Sequence, residues 1–424
     1  MRSAALLVAL ATLLWSAPLS AHPHDAPPPT GSLFGPDHEV YQRVKWMEER
    51  LAKEPDDTLA LSSLGGTWLW IARQTTRHAD FEKSAAAFER LLKVNPQTTT
   101  AGVGLAQARL GQHRFADALT AAQAAVHAQP ALPGVLALLG DVHLALGNTT
   151  EAALIFEELE RTHLTLDSLA RVALVRDAQG RSAEARNAMT EAIEAGGLLK
   201  AEGEQIAWCE SMRGEFAFHA GSLEEASTRY ANALRAAPAM HHARFMLARL
   251  AAARGDIEAA EHDLIALVAE FPLPRYRVEL GRVHLRHGEE ADLKAAKELF
   301  AAAEAEMAAE VDRGDLGHVR ELVEFWLANG GDATRAAELA LRELREVRHD
   351  PEGFEVAAWS LHKAGRSAEA WAYMQEALTR NPGSARAHWR AAEIQTGLGR
   401  TAEADRLAVR AKELNPAIAT AGGW

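Results

Sequence analysis

A single cysteine, Cys209, stands in 424 residues, which excludes an internal disulfide framework and every CxxC or CxxCH motif. A free cysteine behaves as a small hydrophobe, so its expected place is a buried helix position. Aromatic residues reach only 6% and strand-favouring runs of Val, Ile and Tyr are missing. The 48% hydrophobic share is carried by Ala and Leu, both good helix formers, so an all-helical protein follows. No GxSxG, HExxH or P-loop pattern occurs, and the carboxylates are too evenly spread to single out a catalytic pair. Neither enzymatic activity nor a cofactor is expected. The formal charge of −13 argues against a nucleic-acid backbone or an anionic membrane surface as partner. A chain of this length outgrows a single globular core, which leaves several domains or an elongated array.

The N-terminus carries a different pattern. Arg2 precedes an apolar run from Ala4 to Trp15, and Ser16, Pro18 and Ser20 lead into Ala21. A basic start, a short hydrophobic stretch and small residues read as a cleaved secretory signal over residues 1–21. The run is too short to span a bilayer, and no cysteine stands near the cleavage site to carry a lipid. The expected location is the bacterial periplasm or the exterior, with no membrane insertion after cleavage. Residues 22–38 form a Pro-rich leader that cannot be helical and is expected to be flexible. From Glu39 to the end, residues 39–424, helical periodicity hardly lapses, beginning with Val40, Val44, Met47 and Leu51 on one face.

Within that stretch the chain repeats. Pro96 to Pro130, Pro238 to Pro272 and Pro382 to Pro416 are each 34 residues apart. Glycines recur between paired helical stretches at Gly147, Gly180, Gly221, Gly255, Gly365 and Gly399, each followed five residues later by an alanine, from Ala152 to Ala404. Two residues after four of the glycines comes a hydroxyl side chain, at Thr149, Ser182, Ser367 and Thr401, placed to cap the second helix. A small residue also recurs about seven places before the glycine, as in Gly140, Gly214 and Ala392. Small is expected to meet small where two helices cross near a tight turn.

A 34-residue helical pair with small residues at its eighth and twentieth places, a bulky group at the twenty-fourth and proline at the thirty-second resembles the tetratricopeptide repeat. The resemblance covers most of residues 57–416 and departs in three places: Ser84 replaces an alanine, an insertion falls around Glu289 to Asp292, and the pair before Pro351 ends late, after Arg348, His349 and Asp350. It implies an all-α solenoid, a right-handed superhelix of about ten stacked antiparallel hairpins whose first helices line a concave groove. It also implies a non-catalytic scaffold that binds a protein or peptide in that groove. The Lys and Asn set with which some family members clamp a C-terminal carboxylate is not reproduced.

Groove-facing places of the resembled register include Gln107, Asp141, Trp208, Glu215, Arg249, Trp359, His362, Trp389 and Glu393. Over the last two modules Trp359, His362, His388, Trp389, Arg390 and Glu393 concentrate ring and charged side chains of the kind found at binding hot spots, and they form the candidate protein-binding site. No metal site is expected. His241 and His242 point about 100° apart on a helix, and His284 and His287 share a face but have no evident carboxylate or third histidine beside them. At a new N-terminus His22-Pro23-His24, Pro23 lacks the amide N–H that a square-planar copper site deprotonates. The alternatives are a self-associating assembly factor and, less favoured, an exported metal-handling protein using His22 and His24.

Overall fold

The computed structural model describes residues 39–419 apart from 76, 315 and 318. The signal and leader expectations, including His22 and His24, lie outside the described residues, as does the terminal Gly422-Gly423-Trp424. Among the described residues there are helices and no strand. A first helix, α1 (Glu39–Lys53), buries Val40, Val44, Met47 and Leu51, the four residues that the periodicity places on one face. Three hairpins follow: α2 (Thr58–Thr75) with α3 (His78–Val94), α4 (Thr99–Gly111) with α5 (Phe115–Ala128), and α6 (Pro133–Leu146) with α7 (Thr149–Thr162). The next four are α8 (Leu166–Ala178) with α9 (Ser182–Leu198), α10 (Gly203–His219) with α11 (Leu223–Ala236), α12 (His241–Arg254) with α13 (Ile257–Glu270), and α14 (Pro274–His287) with α15 (Glu290–Asp312). The last three are α16 (Val319–Ala328) with α17 (Ala333–Glu346), α18 (Pro351–Lys363) with α19 (Ser367–Arg380), and α20 (Ala385–Gly397) with α21 (Thr401–Leu414). The chain is thus an all-α solenoid of hairpins packed in sequence, divided into two compact units at residues 168 and 169.

In the second unit no single centre gathers the apolar residues. One buried cluster runs from Ala207 to Val283, the next from Val278 to Ala357, the next from Ala337 to Ile394, and a small last one joins Ala385, Ala411 and Ile418. Overlap between successive clusters is how a repeat array buries its faces, each hairpin covering the one before. Cys209 is fully buried on α10.

Two sequence expectations about the hairpin change. The turn glycines do take left-handed conformations, from φ 73° at Gly399 to φ 90° at Gly255. The hydroxyl residues after them, however, are already inside the second helix, and the capping places belong to Asn148, Arg181, Arg366 and Arg400, none of which makes a side-chain cap bond. Ser367 instead uses its Oγ on His362 Nδ1, 3.0 Å away at the end of the first helix. The second change concerns the crossing. A Cβ on Gly140 would stand 2.3 Å from Phe156 Cε1, and one on Gly214 2.8 Å from Tyr230 Cε1. The small residue of the first helix therefore meets the bulky residue of the second, which lies flat in the space that a side chain would take.

The three departures from the repeat have structural reasons. Ser84 is buried and donates its hydroxyl to the Gly65 carbonyl at 2.8 Å, so it fills the alanine place without an orphaned polar group. Around Glu289 the pairing of small residue and ring shifts: Gly281 meets Phe300, at 19 residues' separation, against 16 for Gly140 with Phe156. The insertion is three residues long. The late ending before Pro351 gives Asp350 the cap of α18, where it accepts from the Gly353 N–H at 3.1 Å.

The second unit also closes on itself. Asn381 Nδ2 donates to the Asp177 carbonyl at 3.3 Å, and Asn415 Nδ2 donates to the His219 carbonyl at 3.1 Å. At the first contact a Cβ on Gly180, whose φ is 78°, would lie 2.6 Å from the Gly383 N atom. Only glycine fits there, for conformation and for space.

Gly140→Val should lower stability by about 1–3 kcal/mol through overpacking against Phe156. Urea unfolding measures it, and Gly66→Ala on α2, where an added Cβ meets nothing within 4 Å, serves as a milder comparison.

Candidate functional site

First helices of successive hairpins lie side by side, α16 against α18 and α18 against α20. Arg390 on α20 reaches past α18 to Glu324 on α16. Two helices flanking a third can exchange side chains in this way only on the inner side of a curve. The inner face is therefore the first-helix face, and most of the buried charge collects there: Glu210 and Glu215 on α10, His242 and Arg249 on α12, Arg320 on α16, Glu352 and Glu355 on α18, and Arg390 on α20.

At its C-terminal end this face carries a continuous ion network. Arg390 donates from both terminal nitrogens to Glu324 at 2.8 and 2.7 Å and lies 3.3 Å from Glu355. Arg386 lies 2.6 Å from Glu355 and donates to Glu352 at 3.0 Å. Arg320 donates to Asp350 at 2.7 Å, to Glu343 at 2.9 Å and to Glu352 at 3.3 Å, while Arg348 donates to Glu343 at 2.7 Å. Arg348 and Asp350 come from the late ending that breaks the repeat. Burial pushes the Glu324 carboxyl up, but Arg390 and Arg386 outweigh it and hold it at about 2. Burial likewise opposes ionisation of Asp350, and Arg320 still leaves it below its ordinary value. Arg386 is held above its usual range, its own burial being outweighed by Glu355, Glu352 and Glu324.

A second polar cluster sits on α10 to α12. Glu215 accepts from the Tyr230 hydroxyl at 2.7 Å and lies 2.9 Å from His242 Nε2. Burial pushes its carboxyl up, yet His242, His219 and Tyr230 together hold it at about 2. His241 stacks on Phe271 at 4.5 Å and bonds to the Tyr276 hydroxyl at 2.6 Å, and burial lowers it to about 3. The adjacent pair His241 and His242 thus serves two separate contacts, as their 100° divergence implies.

The six candidate binding residues part company in the structure. Trp359 is half-buried on α18, its ring bracketed by Lys363 Nζ at 4.2 Å and the Arg390 guanidinium at 5.1 Å, with His362 stacked at 5.4 Å. Arg390 belongs to the ion network, so the network fixes one side of the tryptophan. Glu393 is exposed on the same helix as Arg390. Trp389 packs instead on Ala385, Ala411 and Ile418, the core of the last hairpin, and His388 is buried with Nδ1 on the Ser384 carbonyl at 2.9 Å. Trp359, His362, Arg390 and Glu393 are left together, and the ion network beneath them is what sequence reasoning missed. The signal available was the density of Glu and Arg at first-helix places, which reads equally well as a solvated surface.

The absence of a carboxylate beside His284 and His287 is corrected. Glu261 of α13 and Asp292 of α15 both stand there, at 3.1–3.3 Å from the ring nitrogens. Neither is adjacent to the histidines in the sequence.

Fold and site together define a helical-hairpin repeat scaffold with a polar inner face. The tetratricopeptide repeat family model matches residues 77–133, 103–163, 211–264 and 356–416. The chain belongs to the tetratricopeptide repeat family. Among solved structures, it is similar to a thermophilic TPR protein of Thermus thermophilus, with 22% identity over 46% of this chain and 98% of that one and a TM-score of 0.40. It is similar to a tetratricopeptide repeat protein of Parabacteroides merdae, with 16% identity over 62% and 93% and a TM-score of 0.39. It is also similar to the human IFIT1 dimer with PPP-AAAA, with 17% identity over 79% and 77% and a TM-score of 0.45. No curated protein gives a significant match.

Because the Glu324 and Glu215 values are depressed in the folded state, their stabilisation is fully present above the ordinary glutamate value of about 4.3. It is lost as pH falls from there toward about 2. Glu324→Gln should cost about 2–3 kcal/mol at neutral pH by leaving Arg390 underpaired, and should flatten the acid limb of the stability curve. Urea unfolding measured across that pH range tests both statements.

Proposed function

We propose that this chain is a non-catalytic scaffold of the bacterial envelope that holds a protein or peptide partner on the inner face of its second unit. The observation that carries the reading is Trp359, a large ring left half-exposed in a row of first helices and flanked by Lys363 and Arg390. Trp and Arg are the residue types that most often dominate binding energy, and a ring whose neighbours are already ordered loses little entropy on docking. Family membership supports protein binding, since repeat arrays of this family are generally non-catalytic scaffolds for other proteins. Among the described residues no helix is long and apolar enough to cross a membrane. The basic, apolar and small-residue sequence of positions 1–21 supports export.

Trp359→Ala should remove a partner captured from envelope extract, whereas Val409→Ala, exposed on α21, should keep it. Equal recovery with both variants would count against this face. Expressed from its full sequence in a bacterial host, the protein should be recovered in the envelope fraction with His22 at its N-terminus, as read by terminal sequencing. An intact Met1 on the recovered protein would contradict export by cleavage.

A further inference from the structure

We propose that His284, Glu261 and Asp292 form a divalent transition-metal site of the zinc class, with His287 orienting the glutamate. The three residues come from three successive helices, α14, α13 and α15, so the site ties one hairpin to the next. His284 Nδ1 lies 3.2 Å from Glu261 Oε1 and 3.3 Å from Asp292 Oδ1. One ligand atom from each of the three lies within 4.8 Å of the others. Zinc with bonds of about 2.0–2.1 Å sets neighbouring tetrahedral ligand atoms about 3.3 Å apart, so His284 Nδ1 already stands at that spacing from each of the two carboxylate oxygens.

A second observation points to a ligand. His284 Nδ1 is buried and makes no hydrogen bond of acceptable geometry, although two carboxylate oxygens face it. A buried ring nitrogen without a hydrogen bond is costly, and a cation between the nitrogen and the two oxygens satisfies all three at once. His287 Nε2 lies 3.1 Å from the other oxygen of Glu261, the place from which a neighbouring group orients a ligating carboxylate. Imidazole with carboxylates suits a zinc-like ion, while calcium takes oxygen ligands alone. Three protein donors leave one position for water or an incoming group.

The site is built from a break in the repeat. The three-residue insertion between α14 and α15 carries the chain through Gly288, at φ 76°, and places Asp292 in the first turn of α15. Among the described residues this is the one group of three or more His, Cys, Asp or Glu with such spacing.

The test is titration of the chelator-treated full chain with Zn²⁺ by calorimetry, in a His22→Gln, His24→Gln background that removes the histidines of the leader. One ion per chain is expected. His284→Gln and Asp292→Asn should each weaken binding at least tenfold, and His287→Gln by about tenfold. Bound Co²⁺ should show the visible absorption of a four-coordinate ion, lost in Asp292→Asn. Circular dichroism confirms that each variant is folded. No binding in the parent background would leave the cluster as ion pairs only and overturn the proposal, as would unchanged affinity in both folded His284→Gln and Asp292→Asn.

Discussion

Everything in this protein depends on how closely two antiparallel helices can approach beside a short turn. The approach is set by a ring lying over a residue without a side chain: Phe156 over Gly140, Tyr230 over Gly214, Phe300 over Gly281. Dispersion contacts of a buried ring are individually small and collectively large, and a gap of about 0.5–1 Å already forfeits roughly a quarter to a half of each. Where glycine and ring meet in this way the two helices of a hairpin are held close, and elsewhere alanine takes the small place, as at Ala248 and Ala358. The inner face then curves enough for α16 and α20 to share a carboxylate and a guanidinium.

Much of the fold was legible because periodic constraints leave periodic residues. Val40, Val44, Met47 and Leu51 marked a buried face, and the recurring glycines marked left-handed turns, since these demands act within a few residues of chain. The partner of Gly140 was not legible in the same way. Spacing shows that small residues recur on both helices, but not which of the bulky or small residues opposite fills the gap. The hydroxyl residues misled for a related reason: a cap differs from a first helical residue by one place, and Arg366 and Arg400 occupy the capping place without bonding there.

The candidate site was half legible. Trp359 and Glu393 could be placed on the inner face from the register, because a repeat assigns direction to each of its positions, whereas Arg390 was singled out only by its residue type. Whether Trp389 packs or binds depends on the end of the array, where Ile418 joins Ala385 and Ala411 in the cluster it packs against. The ion network and the cluster at His284 were hidden for one reason. Both draw residues of different modules together at two of the three places where the repeat is irregular, and irregular places are where a repeated pattern says least. Arg348 and Asp350 follow the late helix ending, and Asp292 follows the insertion. In this chain the regular positions build the scaffold and supply most of its buried charge, and two of the exceptions add residues that join that charge across modules.

The docking of Asn381 and Asn415 gives the second unit a way of counting. Asn381 and the Asp177 carbonyl that it reaches are 204 residues apart, with the eleven helices α9 to α19 between them, and Asn415 makes the corresponding contact one hairpin further along. An open solenoid tolerates duplication or loss of a module, since each copy knows only its neighbours. Here an added or missing hairpin would bring the wrong turn to Gly180 and leave both asparagines facing nothing. The array is thereby held to one length, as a belt is held by its buckle, and its modules are no longer interchangeable even where their sequences agree.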